Sequence, residues 1–190
     1  IDMNGAVKDG MLREAFSAEG ITLPPGLVPP FAADLVPEKF SIDFTVSDFD
    51  LAAPAKLLLA HTAKTKAAPT PELEAELMKA LMPSGAVKIT LAPGHVTSKI
   101  ADIGYEGAMT AGPVAMPTGS ALITAKGFDA AVGALNAAPP ELGLSQATIG
   151  MLAAKGFSKT ETDGSISWKI ESTPEGGVLV NGVDMSKLGK

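Results

Sequence analysis

Histidine, serine, lysine and carboxylate are the side chains that could do chemistry in this chain, and their spacing decides which chemistry is open. His61 and His95 are the two histidines, and neither has a second histidine, a cysteine or a carboxylate at the spacing of a metal-ligand set. His61 closes a predicted helix and His95 falls in a predicted turn, so both read as solvated structural residues rather than ligands or bases. Ser98-Lys99 is a bare dipeptide, and neither Gly-x-Ser-x-Gly nor Ser-x-x-Lys occurs, which leaves no serine-nucleophile signature. Glu72, Glu74 and Glu76 could serve as paired acids, but their place at the start of a helix is explained by the positive end of its dipole. Asp2, Asn4 and Gly5, or Asp48 and Asp50, are fragments of calcium loops without the remaining oxygen ligands or the terminal glutamate. Gly104, Gly107, Gly112 and Gly119 match no phosphate-cradling pattern and read as turn glycines. No catalytic residue, metal or cofactor is expected from these patterns, and no pattern specifies an activity.

The elements that would have to position such residues are built from unusual material. Of 190 residues 46% are hydrophobic but only 5% aromatic, so the core must come from aliphatic and small side chains. One α+β domain over residues 1–190 accounts for the length. The formal net charge of -6, with no run of Lys or Arg, argues against nucleic acid or an anionic membrane surface as partner. The absence of cysteine removes disulfides, thiol nucleophiles and thiolate metal sites. No window is long and apolar enough for a membrane span, and none has the order of a signal peptide. A start at Ile1 fits a processed protein, whose signal or membrane anchor lay upstream, and a truncated fragment equally well.

Glycine-punctuated short strands are expected over 1–23, followed by an extended proline-rich connector over 23–30. Alternation of Phe40, Ile42, Phe44 and Val46 with Ser41, Asp43 and Thr45 predicts a strand with one buried face. A helix over 51–61 tolerates Pro54 in its first turn, and a polar loop over 62–69 leads to a helix capped by Thr70, opened by Pro71 and ended at Pro83. Between 86 and 126 the pattern predicts an antiparallel meander of four short runs, 87–91, 96–103, 105–110 and 120–125. Helices are expected over 129–138 and from Ser145, as cap, to Lys155, with Gly156 as a left-handed C-cap. Strands return around the Thr162-Asp163-Gly164 and Pro174–Gly177 turns. Strands grouped with strands and helices inserted in pairs predict α+β, a largely antiparallel, curved sheet against several short helices.

Two stretches share a local design that suggests an internal repeat, 40–61 and 119–138. In each a strand-like run ends at Phe-Asp, Phe49-Asp50 and Phe128-Asp129, and a helix-like run begins. Aspartate there accepts hydrogen bonds from the first helical amides, and the phenylalanine closes over the turn as a staple. A third, weaker echo runs from Asn181 to Leu188. Chance similarity in an alanine-rich alphabet is the alternative.

Leu58, Leu77, Leu81, Met109, Met116 and Met151, with Leu57, Leu59, Ile149 and Leu152, suit either an ordinary core or a soft apolar groove between helices and sheet. The groove alternative makes the first six candidate ligand-binding residues and predicts an elongated apolar cavity against the helices at 51–61 and 71–82.

The residues Gly107-Ala108-Met109, 119–124, Gly127-Phe128-Asp129, Ala154-Lys155-Gly156-Phe157, Asp163-Gly164-Ser165 and Val180-Asn181-Gly182-Val183-Asp184 give the chain a further signature. In these it resembles AsmA-like and related uncharacterised bacterial envelope proteins, over roughly 40–50 and 86–188. The resemblance implies a non-enzymatic periplasmic domain of a Gram-negative bacterium, with a long curved sheet and a lipid or other hydrophobic small molecule as ligand. The alternative is a structural or assembly module that binds another envelope protein through a sheet edge. Proximity to the membrane would come from an anchor upstream of Ile1. No catalytic residue is carried over.

Overall fold

The computed structural model describes residues 1–190 except 25, 66–67, 114–115 and 188–190. Part of the connector, part of the polar loop and Leu188 of the third echo therefore lie outside the described residues. Polar–apolar alternation folds as strands: β1 (Asp2–Asn4), β2 (Gly10–Glu19), β3 (Lys39–Phe49), β4 (Val87–Thr97), β5 (Asp102–Ala111), β6 (Thr118–Lys126), β7 (Lys159–Thr160), β8 (Ile166–Ser172), β9 (Val178–Val180) and β10 (Val183–Asp184). They form one sheet in the order β1-β2-β3-β4-β5-β6-β8-β9-β10, with β7 beside β8, and every pair is antiparallel. Two helical pairs interrupt the meander: α1 (Ala52–Lys64) and α2 (Pro71–Leu81) before β4, α3 (Phe128–Asn136) and α4 (Ser145–Gly156) before β7. The fold is α+β, as the sequence predicts.

The register divides the sheet into two chemically distinct faces. Partners across strands share a face, so Phe44, Leu91, Gly107, Ala121 and Ile170 stand in one line and Thr45, Thr90, Ala108, Ser120 and Glu171 in the next line on the opposite face. One face is nearly all apolar; the other carries Arg13 bridged to Asp43 at 2.5 Å and Lys169 to Glu171 at 2.9 Å. A bulge in β4 keeps this division intact: from Ser41 to Phe44 β3 advances three residues, while β4 needs four between Leu91 and His95.

The meander has three long strands where the sequence predicts four short runs. Gly94, Gly104, Gly107 and Gly119 lie inside strands rather than in turns, and a side chain on Gly107 would sit 2.9 Å from the Ser120 carbonyl oxygen. They permit close approach of neighbouring backbones. The connector ends in a 3-10 turn, Pro30–Leu35. At Gly156 the expected left-handed cap is absent: Gly156 is the last residue of α4 and Phe157 follows with φ -100. Ser145 is the first residue of α4 and its side chain makes no cap.

The two copies of the suggested repeat part company at their aspartates. Asp50 is 2% exposed, and its Oδ1 accepts from the amides of Ala52 at 2.7 Å and Ala53 at 3.0 Å. Asp129 lies within α3, which starts at the left-handed Gly127, and holds Lys155 of α4 at 2.6 Å. The third echo keeps the capping chemistry: Asp184 accepts from the amide of Ser186 at 3.0 Å.

The core is small and lies at one end of the sheet. Ala125, Ile166 and Trp168 are buried there with Ile123, Phe128, Ile170 and Val180 packed against them. Phe128 tilts onto Trp168 with ring centroids 5.6 Å apart, and the indole N–H donates to the Ala154 carbonyl at 2.7 Å, which pins α4 to the sheet. At the opposite end Phe49, Met82 and Asp50 are buried where α2 returns to β3, with the Asp50 amide donating to the Leu81 carbonyl. The chain leaves 12091 Å² accessible, against roughly 8,500 Å² expected of a folded monomer of this mass. Much of the apolar face stays uncovered.

Candidate functional site

Two cross-strand lines on the apolar face, beyond the cover of α3 and α4, make a trough. The first is Phe44, Leu91, Gly107, Ala121, Ile170 and Val180; the second is Val46, Ile89, Met109, Gly119, Ser172 and Val178. Gly107, Gly119 and Ala121 lower the middle, and larger aliphatic and aromatic side chains stand at both flanks. The hollow measures about 470 Å³, and among the described residues no ionisable side chain lines it. From β3 to β9 it crosses six strands, a span of about 24 Å at the usual strand spacing.

A third line closes the trough on the side of the core. Tyr105, Ile123 and Trp168 stand opposite one another, and Tyr105 covers Gly94 and donates from its hydroxyl to the Ser41 carbonyl at 2.7 Å. Glu14, opposite Phe44, brings a carboxylate to the β2 end.

The six candidate residues from the sequence are not gathered in one place. Met109 lines the trough. Met116 is 60% exposed and lies against Gly176 in the turn before β9. Leu58 on α1 is 43% exposed, while Leu77 and Leu81 on α2 and Met151 on α4 are half-buried. None of these five lines the trough, which is formed by the sheet alone. The residues sequence reasoning missed are Phe44, Ile89, Leu91, Ile170 and Val178. Their alternation was visible, and their alignment across strands needed the register.

The polar face offers little chemistry. Ser41 Oγ lies 3.3 Å from His95 Nδ1, and among the described residues no carboxylate orients that ring. No group of three His, Asp or Glu able to hold a metal occurs among the described residues. The shifted ionisable groups sit in exposed pairs: Arg13 hydrogen-bonds to Asp43 and lowers its pKa, and Ser167 and Lys159 together lower that of Glu161. These are structural ion pairs and caps.

The chain matches no protein family, no curated protein and no solved structure.

Proposed function

We propose that this chain is a non-enzymatic, periplasmic cell-envelope domain whose trough holds a lipid acyl chain or a similar hydrocarbon. The observation that carries the reading is the pair of apolar lines crossing six strands with no ionisable side chain among the described residues that line them. A polar ligand would lose its hydrogen bonds to water there and gain none. An alkyl chain would lose nothing and would cover apolar surface at about 25 cal/mol per Å². The 470 Å³ of the hollow falls in the size range of small-ligand sites. The resemblance to AsmA-like envelope proteins supports the placement beside a membrane.

The test is solvent extraction and native mass spectrometry of the 190-residue chain purified from a bacterial periplasm. Close to one acyl lipid per chain is expected. A chain that purifies empty and fails to take up a fluorescent fatty acid overturns the reading.

A further inference from the structure

Asparagine is followed by glycine at Asn4-Gly5 and at Asn181-Gly182, and the fold treats the two pairs differently. Such a pair is open to ring closure, because a glycine amide carries no side chain to crowd its approach to the neighbouring carboxamide carbon. In a folded chain the reaction depends on what holds that carboxamide. Asn181 lies at φ 48 between β9 and β10 with both ends of its carboxamide engaged: Nδ2 donates to the Phe157 and Ser167 carbonyls and Oδ1 accepts from the Lys169 amide. Moving that carboxamide onto the Gly182 nitrogen would break all three bonds. Asn4 ends β1 with its side chain exposed and its bonding local. Its Oδ1 accepts from the Ala6 amide at 3.1 Å, and among the described residues its Nδ2 donates to nothing. That bond folds the carboxamide back along the Gly5 peptide group. It also draws charge from the carbon that the Gly5 nitrogen would attack.

We propose that Asn4-Gly5 is a site of spontaneous deamidation in the folded protein, and that the fold protects Asn181-Gly182 from the same reaction. The Gly5 amide gives its proton to hydroxide, and its nitrogen bonds to Asn4 Cγ. The Cγ–Nδ2 bond then breaks. The leaving nitrogen takes a proton from water and departs as ammonia, which restores the hydroxide and leaves a succinimide ring. Water opens the ring at either carbonyl, giving isoaspartate or aspartate at position 4. No enzyme, cofactor or oxidant takes part. Either product adds a negative charge on the polar face, where Asp2 already stands opposite Arg13. Isoaspartate also lengthens the backbone by one methylene, which disturbs the pairing of residue 4 with Met11. The site is a slow, one-way change of charge and register where β1 turns toward β2.

The test holds the 190-residue chain folded at mildly alkaline pH and follows both sites by peptide mapping, with mass-spectrometric fragmentation that separates isoaspartate from aspartate. Asn4 is expected to convert at least about tenfold faster than Asn181, whose hydrogen bonds must open first. In urea, where those bonds are gone, the two rates should converge. Gly5→Ala tests the ring closure itself: a β-carbon there would lie 3.7 Å from the Leu51 side chain, an ordinary contact, so the fold is kept while the attacking amide is crowded. That variant, checked by circular dichroism, should convert at position 4 severalfold more slowly. Asn4 reacting no faster than Asn181 in the folded chain, a preference for Asn4 that persists unchanged in urea, a rate untouched by Gly5→Ala, or aspartate formed without isoaspartate would each overturn the proposal.

Discussion

At the scale of single residues, the same side chain serves unrelated ends according to what lies beneath it. Asp50 is buried under the first turn of α1 and accepts two amides; Asp129, one helix-turn design later in the chain, points to solvent and ties α3 to α4 through Lys155. Asp50→Ala is therefore expected to destabilise the fold by about 1–2 kcal/mol in denaturant titration. Asp129→Ala should cost less than about 1 kcal/mol, as exposed ion pairs do. The first capping role was legible in the sequence because Phe-Asp precedes an apolar helix. The second was not, because Gly127 can adopt φ 72 and starts its helix one residue before the Asp is reached. The trough gives a prediction on binding instead. Met109→Glu places a charge on its apolar floor, and Ala121→Phe fills its centre. Each should weaken uptake of a fluorescent fatty acid by roughly tenfold or more, measured by titration, with stability changed by less than the loss of a core residue.

At the scale of elements, the joints between strands depend on a few polar groups that sequence patterns do not reveal. Asn181 sits at φ 48 in the turn after β9; its Nδ2 donates to the carbonyls of Phe157 at 2.8 Å and Ser167 at 3.0 Å, and its Oδ1 accepts from the Lys169 amide at 2.9 Å. One side chain thus joins the end of α4, β8 and β9. Asn181→Ala removes all three bonds and should cost about 2–3 kcal/mol, read as a lowered midpoint in urea. Hydrogen exchange of the β8 and β9 amides should rise with it. In the sequence Asn181-Gly182 announces only a turn, because its partners are far away in the chain. The glycines of the meander were legible as special positions and misplaced as turns, since a tight turn and a close strand crossing both favour a missing side chain. Helix α2 was legible to its ends because Thr70, Pro71 and Pro83 fix it locally, with the Thr70 hydroxyl accepting from the Leu73 amide.

At the scale of the whole molecule, stability rests on a small core, many exposed ion pairs and long strand ladders. Asp43, Glu161, Asp163 and Asp184 are held below their ordinary values by hydrogen bonds from Arg13, Ser167, Ser165 and Ser186 respectively, and Glu72 by the backbone of its helix start and by Thr70. A lowered pKa in the fold means that the charged form is favoured there. Its stabilisation is complete above the ordinary values of 3.8 for Asp and 4.5 for Glu, and is lost as pH falls through the lowered ones. The melting temperature should therefore vary little between about pH 5 and 7 and fall below about pH 4, with a shallower fall in Asp43→Asn. The fold class was legible because strand and helix patterns are local. The bare apolar face was not, because alternation shows that a strand has two sides and says nothing about what covers either.

The bulge at residues 92–93 of β4 makes the sheet's sidedness depend on a count of residues. Before it, odd-numbered Ile89 and Leu91 stand on the apolar face; after it, even-numbered Gly94 and Val96 do, Val96 opposite Phe40. Deleting residue 92 or 93 would set Leu91 and Gly94 two apart, as Gly107 and Tyr105 are on β5, so every later residue would keep its face and only the bulge would be lost; the same deletion in the regular stretch 87–91 would put the residues on one side of it on the wrong face. Within β4 the bulge is therefore where loss of one residue should be best tolerated, which urea midpoints of a chain lacking Ala92 and of one lacking Thr90 would check.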